Sequence, residues 1–172
     1  MDYEKYMQIA IGQAELALRI GEFPVGCVIV YDGDVVATGV RKNSASGVLN
    51  EIDHAEILAL KEFANNKKAV NKDQAVLFCT LEPCLMCYAA IMLSGIRKVV
   101  YAYEDVMGGG TACDLSTLTP LYSNLKMNIT PDVLRKKSLA LFVKFFKNPS
   151  NKYWKNSLLE KYTLSVSGKN DG

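Results

Sequence analysis

Apolar residues recur at helical spacing through residues 3–20, where Tyr6, Ile9, Ala10, Ala14, Ala17 and Leu18 share one stripe and predict an amphipathic helix. The pattern then changes period. Val25-Gly26-Cys27-Val28-Ile29-Val30-Tyr31 is a continuous β-branched run that stops at Asp32-Gly33, and residues 35–40 resume it, which predicts a hairpin. Asp53 is placed to N-cap a helix over residues 54–64, and residues 75–79 form a short buried strand. Pro83 suits the start of a second crossover helix. Residues 97–101 supply a fourth strand and 126–129 a fifth, after which Thr130-Pro131 caps a helix reaching Phe146. Strands alternating with crossover helices predict an α/β fold: a mixed five-stranded sheet with helices on both faces, in three layers.

Beyond Phe146 the pattern weakens. Asn148-Pro149-Ser150-Asn151 is a cluster of breakers, residues 152–163 admit one more helix carrying Tyr153 and Trp154, and residues 165–172 are polar and expected to be disordered. The chain therefore divides into a domain over residues 1–147 and a C-terminal extension over 148–172. At 172 residues it holds material for one core. No apolar stretch approaches the roughly 20 residues of a membrane span, and the acidic start Met1-Asp2-Tyr3-Glu4 is unlike a secretory signal. The net charge of +2 hides an asymmetry: residues 1–120 carry 10 Lys and Arg against 15 Asp and Glu, residues 121–172 carry 10 against 3. Such a split marks either a solvated helix face or a nucleic-acid contact.

The candidate chemistry sits at the two predicted crossover helices. His54, the sole histidine, opens His54-Ala55-Glu56, and thirty positions later comes Pro83-Cys84-Leu85-Met86-Cys87. Alone, a His-x-Glu is usually a surface pair, and a Cys-x-x-Cys admits a structural zinc half-site, a redox pair or two buried thiols. Cys27, Cys79 and Cys113 are too scattered to complete a four-cysteine site. Together, His54, Cys84 and Cys87 give zinc three ligands and leave the fourth position open, as a catalytic zinc requires. Glu56 lies close enough to move protons without ligating. This combination is a recognised mark of zinc-dependent nucleobase deaminases. Both ligand pairs fall at helix N-termini, whose partial positive charge favours thiolates. Cys27 and Cys79, in apolar strands, read as buried thiols, and the cysteine usage suits a reducing cytoplasm. Gly108-Gly109-Gly110 lacks the Lys-Ser/Thr of a phosphate loop and reads as a mobile loop near the site.

With these motifs the chain resembles the cytidine deaminase superfamily, and within it the bacterial tRNA adenosine deaminase branch. Pro24-Val25-Gly26 resembles that branch's pocket-lining strand start, the run Thr80-Leu81-Glu82-Pro83-Cys84-Leu85-Met86-Cys87 its cysteine motif, and Phe145-Phe146 its C-terminal pattern. The resemblance implies one zinc per chain, a homodimer, Glu56 as proton shuttle in a hydrolytic deamination, and substrate contacts at Pro24, Val25, Gly26 and Pro83. It also implies a base-reading Asn. Asn43 lies eleven residues before His54 as that role needs, but two positions late after the hairpin glycine and without its arginine neighbour. The segment Asn50-Glu51-Ile52-Asp53 and the extension past Phe146 also depart from the branch. All three departures fall on loops or tails expected to face the substrate. A tRNA adenosine in an anticodon loop, met by a basic surface from Arg41-Lys42 and the tail, is the first expectation; a free base or nucleoside under a lid made by Tyr153 and Trp154 is the alternative.

Overall fold

The computed structural model describes residues 1–44, 50–66 and 71–168. Its first helix, α1 (Tyr3–Arg19), is N-capped by Asp2, whose carboxylate accepts from the Lys5 N–H at 3.1 Å. Tyr6, Ala10, Ala14 and Ala17 are buried as their spacing predicts, with Met7 and Ile11 deeper than Ile9 or Leu18. The hairpin β1 (Gly26–Tyr31) and β2 (Asp34–Val40) turns at Asp32-Gly33, with φ of +50° and +84°. Both central residues left-handed is the backbone that Asp-Gly favours and that matches strand twist.

The chain continues through α2 (Ala55–Ala64), β3 (Val76–Leu81), α3 (Leu85–Ser94), β4 (Lys98–Tyr103), the single turn α4 (Pro120–Ser123), β5 (Asn128–Thr130), α5 (Arg135–Lys147) and α6 (Leu158–Ser167). The sheet order is β2-β1-β3-β4-β5, antiparallel among β2, β1 and β3 and parallel from β3 through β5. Alternation along each strand feeds two cores. Val28, Val30, Val76, Phe78, Val100 and Ala102 pack against α1, while Cys27, Ile29, Leu77, Cys79, Leu81 and Val99 pack against α2 and α3. The three-layer expectation holds because both sheet faces are apolar and each needs a helix layer. Among the described residues, no helix is long and apolar enough to cross a membrane.

One glycine sets where α2 begins. A Cβ on Gly39 would stand 1.9 Å from the Ala55 carbonyl oxygen. Only a residue without a side chain lets the first turn of α2 lie directly on β2.

Three boundaries differ from the sequence expectation. Asp53 does not cap α2; His54 holds the N-cap position, and the Asp53 carboxylate instead takes the Asn50 amide at 2.7 Å and faces Lys61 at 3.7 Å. Thr130-Pro131 does not cap α5, because Thr130 is still paired with Val100 in β5. The chain must turn back through Asp132 (φ +66°) and Leu134 (φ +55°) before a helix can start at Arg135. Tyr153 and Trp154 lie before α6, not on it: left-handed Trp154 (φ +53°) and Asn156 (φ +64°) break any helix there. Ser157 caps α6 by accepting from the Glu160 N–H at 3.1 Å, and Ser157-x-x-Glu160 is a capping-box signature that marks this start in the sequence. Residues 165–167, expected disordered, continue α6, and residues 169–172 of that expectation lie outside the described residues. On the inner side α6 buries Leu159 and Thr163, with the Thr163 hydroxyl 2.9 Å from the Tyr103 hydroxyl.

Candidate metal centre and active site

The C-terminal end of β3 and the edge made by β2 deliver two helix N-termini to one point. His54 is the N-cap of α2 and Cys84 the N-cap of α3, with Cys87 in the first turn of α3. Neither residue makes a side-chain N-cap hydrogen bond, and imidazole and sulfur face one another. His54 Nδ1 stands 3.6 Å from Cys84 Sγ and 3.4 Å from Cys87 Sγ, and all three ligand atoms lie within 4.8 Å of one another. Ligands of a tetrahedral zinc at ordinary bond lengths stand about 3.6 Å apart, N to S. The donor set therefore fits zinc in both chemistry and spacing.

Charge within the pair of sulfurs is unequal. The hydrogen bond from Cys87 pulls the Cys84 thiol down to about 4, overcoming its burial, with the His54 imidazole assisting. Donating that bond, and burial, push Cys87 up. The first thiolate of the pair is Cys84, at the N-terminus of α3. Burial pulls His54 down, but the bond to Cys84 and the nearby negative charges outweigh it and the net direction is up.

Glu56 is 3 % exposed, and its Oε2 is a buried polar atom without a hydrogen-bond partner among the described residues. Burial raises it above the ordinary carboxylate range, against the lowering effect of His54. A buried, unpartnered carboxylate oxygen is costly unless something polar meets it in function. It borders the same cavity as His54 and Cys84.

That cavity has a volume of ≈ 220 Å³. Phe23, Val25, Leu81, Met107 and Leu159 form its apolar wall, and Arg41, Glu51, Glu82, Asp105 and Tyr153 bring polar groups to it, with Trp154 and Gly108 completing the rim. Glu82 holds the segment over residues 105–111 in place: Oε2 accepts from the Asp105 N–H at 3.2 Å, and Oε1 accepts from the Thr111 hydroxyl at 2.5 Å. Gly109 bridges to Cys84, and the Gly110 N–H donates to the Pro83 carbonyl at 2.9 Å. The glycine triplet is thus tied to the start of α3. A Cβ on Gly110 would meet the Leu85 backbone at 2.6 Å, so close approach explains the glycine.

The residues expected at the substrate side are placed unevenly. Val25 lines the cavity, with buried Pro24 beside it. Gly26 starts β1 and donates its N–H to the Thr80 hydroxyl at 3.0 Å. Pro83 is buried under the glycine triplet. Asn43, at φ +60°, donates its side-chain amide to Asp53 at 3.4 Å and is not in the cavity wall. Arg41 departs from expectation: it is 2 % exposed, not part of a basic surface. Its backbone continues the inward alternation of Ala37 and Gly39, a period-2 signal that would have found it. Glu51 and Leu159 lie in the two segments whose departure from the branch marked them for the substrate side, whereas nothing local in the sequence marks Asp105.

Two helix N-termini presenting His-Cys-Cys, with a buried Glu lining the same largely apolar cavity, define a zinc-dependent hydrolytic deaminase. The chain belongs to the family of the cytidine and deoxycytidylate deaminase zinc-binding region, which it matches over residues 1–103. It is 33 % identical over 164 residues to a tRNA-specific adenosine deaminase of Buchnera aphidicola subsp. Baizongia pistaciae, covering 92 % of this chain and 99 % of that protein. To a tRNA-specific adenosine deaminase of Bacillus subtilis it is 32 % identical over 144 residues, 84 % and 88 % of the two chains. A solved structure from a study of A-to-I editing by tRNA:A34 deaminases superposes with a TM-score of 0.63 at 26 % identity, over 80 % of this chain and 98 % of that one. Guanine deaminase from Bacillus subtilis superposes with a TM-score of 0.53 at 31 % identity, over 60 % and 66 %.

Proposed function

We propose that this enzyme deaminates a small uncharged nucleobase, free or as its nucleoside, beneath a roof made by the C-terminal segment. The observation that carries this is the shared cavity: Tyr153, Trp154 and Leu159 line the same space as His54, Glu56 and Cys84. At ≈ 220 Å³ that space falls below the ~300–1,000 Å³ of pockets for drug-sized ligands. Four carboxylates, Glu51, Glu56, Glu82 and Asp105, face it against the single guanidinium of Arg41. A phosphate would meet net repulsion there, whereas a neutral flat ring meets Phe23, Val25 and Trp154. In this reading residues 1–147 are the catalytic domain and residues 148–172 its specificity element.

His54, Cys84 and Cys87 would hold zinc, which would supply the acidification of a water to a nucleophile at neutral pH. Glu56 takes the proton that water gives up and passes it to the ring nitrogen beside the amine-bearing carbon. Once the water oxygen has bonded to that carbon, Glu56, again a carboxylate, takes the remaining proton from the new hydroxyl and gives it to the exocyclic amine, which leaves as ammonia while the carbon becomes a carbonyl. Val25 supports the ring from the β1 side, and Pro24 and Gly26 hold that strand start in place. Pro83 seats the reacting carbon by fixing the start of α3. Asn43 enters through Asp53; to read a base directly it must turn from that bond into the cavity. Two zinc-ligating thiols suit a reducing, cytoplasmic setting.

A second reading, a tRNA adenosine in an anticodon loop, is favoured by the relatives at 32–33 % identity over most of the chain. The two separate in an ammonia-release screen of zinc-loaded protein over free bases, nucleosides and an anticodon stem-loop. The roofed reading requires turnover of a free base or nucleoside that Trp154→Ala weakens through KM. Turnover of the stem-loop alone, falling steeply with salt, would replace it with the tRNA reading. We also propose a homodimer through α3, on which Leu85 and Leu93 are about 60 % exposed. Light scattering at micromolar concentration should give twice the chain mass, and a monomer mass would remove this part.

A further inference from the structure

His54 presents Nδ1 to the two sulfurs, so a metal-ligating His54 carries its proton on Nε2 and needs an acceptor there. The group facing Nε2 is the carboxylate of Glu51, with Oε2 at 3.9 Å. That separation is long for a direct hydrogen bond, and a small turn of the imidazole, which makes no capping bond to its own helix, would close it.

Glu51 is half exposed, yet its oxygen is not free to wander. The same Oε2 accepts from Arg41 Nη2 at 3.0 Å and from the Tyr153 hydroxyl at 2.9 Å. Arg41 is itself buried and anchored through Nη1 to the Asn50 carbonyl at 3.0 Å. A buried guanidinium without its carboxylate is strongly unfavourable, so the Arg41–Glu51 pair is a fixed post. Tyr153 reaches that post from the C-terminal segment, more than a hundred positions away in the chain.

We propose that Glu51 is the positioning carboxylate of His54, and that Tyr153 couples the C-terminal roof to the metal centre through it. A roof that seats Tyr153 on Glu51 holds the acceptor in place for the imidazole. A roof that lifts releases one of the two groups fixing Glu51. The proposal rests on the metal-site reading and not on which base is turned over, so the substrate screen and the following test fail independently.

The test uses the full chain and reads zinc directly. Competition with a chromogenic chelator should show zinc affinity falling about 10–100-fold in Glu51→Ala, the usual effect of losing such a carboxylate. Glu51→Gln, which keeps a neutral acceptor, should recover most of that loss. Tyr153→Phe should weaken zinc in the wild-type background and add nothing to Glu51→Ala. Because His54 is the sole histidine, the one imidazole N–H signal in side-chain ¹H–¹⁵N spectra of the zinc form is its Nε2–H. That resonance should be protected from exchange in the wild type and should shift in Glu51→Gln. Zinc affinity unchanged in a folded Glu51→Ala, or equal losses from Tyr153→Phe in both backgrounds, would overturn the proposal. If Glu51→Ala does not fold, an Nε2–H resonance unmoved in Glu51→Gln overturns it equally.

Discussion

Gly39→Ala is a one-carbon change on β2 that should disable a metal site it never touches. The added Cβ would stand 1.9 Å from the Ala55 carbonyl oxygen, 2.8 Å from its carbon and 2.9 Å from the Ala59 nitrogen. All three are helix backbone, so no side chain can swing aside. Ordinary contact requires α2 to retreat by roughly 1.5 Å at its first turn. His54 is the residue immediately before that turn, and its ring now sits 3.4 and 3.6 Å from the two sulfurs. A displacement of that size moves it out of range of a shared tetrahedral ion. Overpacking of this kind costs about 1–3 kcal/mol, within reach of a folded protein's margin of ~5–15 kcal/mol. The fold should survive while the site does not: thermal melts of the zinc-free forms should show a modest loss. Zinc affinity should fall at least tenfold, and turnover at saturating zinc about 10²-fold, the usual penalty for ~1 Å misplacement. Wild-type zinc affinity in a folded Gly39→Ala would refute the claim that this contact positions the ligand.

Other expectations follow from single groups. Glu56→Ala should retain one zinc per chain by metal analysis while turnover drops about 10²–10⁴-fold; substantial residual activity would end its proton-shuttle role. Cys84→Ala or His54→Ala should instead lose zinc and stability together, seen as a melting temperature that no longer responds to added zinc. Burial raises the Glu104 carboxyl, but hydrogen bonds from Arg135 and from the Tyr162 hydroxyl (2.7 Å) outweigh it and the net direction is down. A carboxylate held below its unfolded value stabilises the fold above the unfolded pKa, and that contribution is lost as pH falls through the folded one. Melting temperatures of wild type and Glu104→Gln should therefore differ at pH 7 and converge toward pH 3. A gap that persists at low pH would show that charge is not what Glu104 contributes.

What the sequence determined by itself was whatever depends on near neighbours. Period-2 and period-3.6 patterning is written into consecutive residues, so the hairpin turn at Asp32-Gly33, the strands and most helices were legible. The metal site was legible too, since Cys84 and Cys87 share one helical turn and His54 and Glu56 another, and the chemistry of zinc restricts which residue types can serve. Local signals also misled where two claims met: Thr130-Pro131 has the composition of a cap, yet pairing of Thr130 with Val100 kept it in the sheet. The tertiary structure decided everything that joins distant segments. Arg41 continues the inward alternation of Ala37 and Gly39, but only Glu51 and Tyr153 closing over it supply the partners that let a guanidinium stay buried there. Tyr153 and Trp154 are ordinary aromatics in a polar tail until docking of Leu159 brings them to the cavity that His54 and Cys84 border. The physical reason is that a three-ligand metal site needs only two short helix starts, whereas a cavity needs walls. Walls come from whichever parts of the chain the core packs side by side.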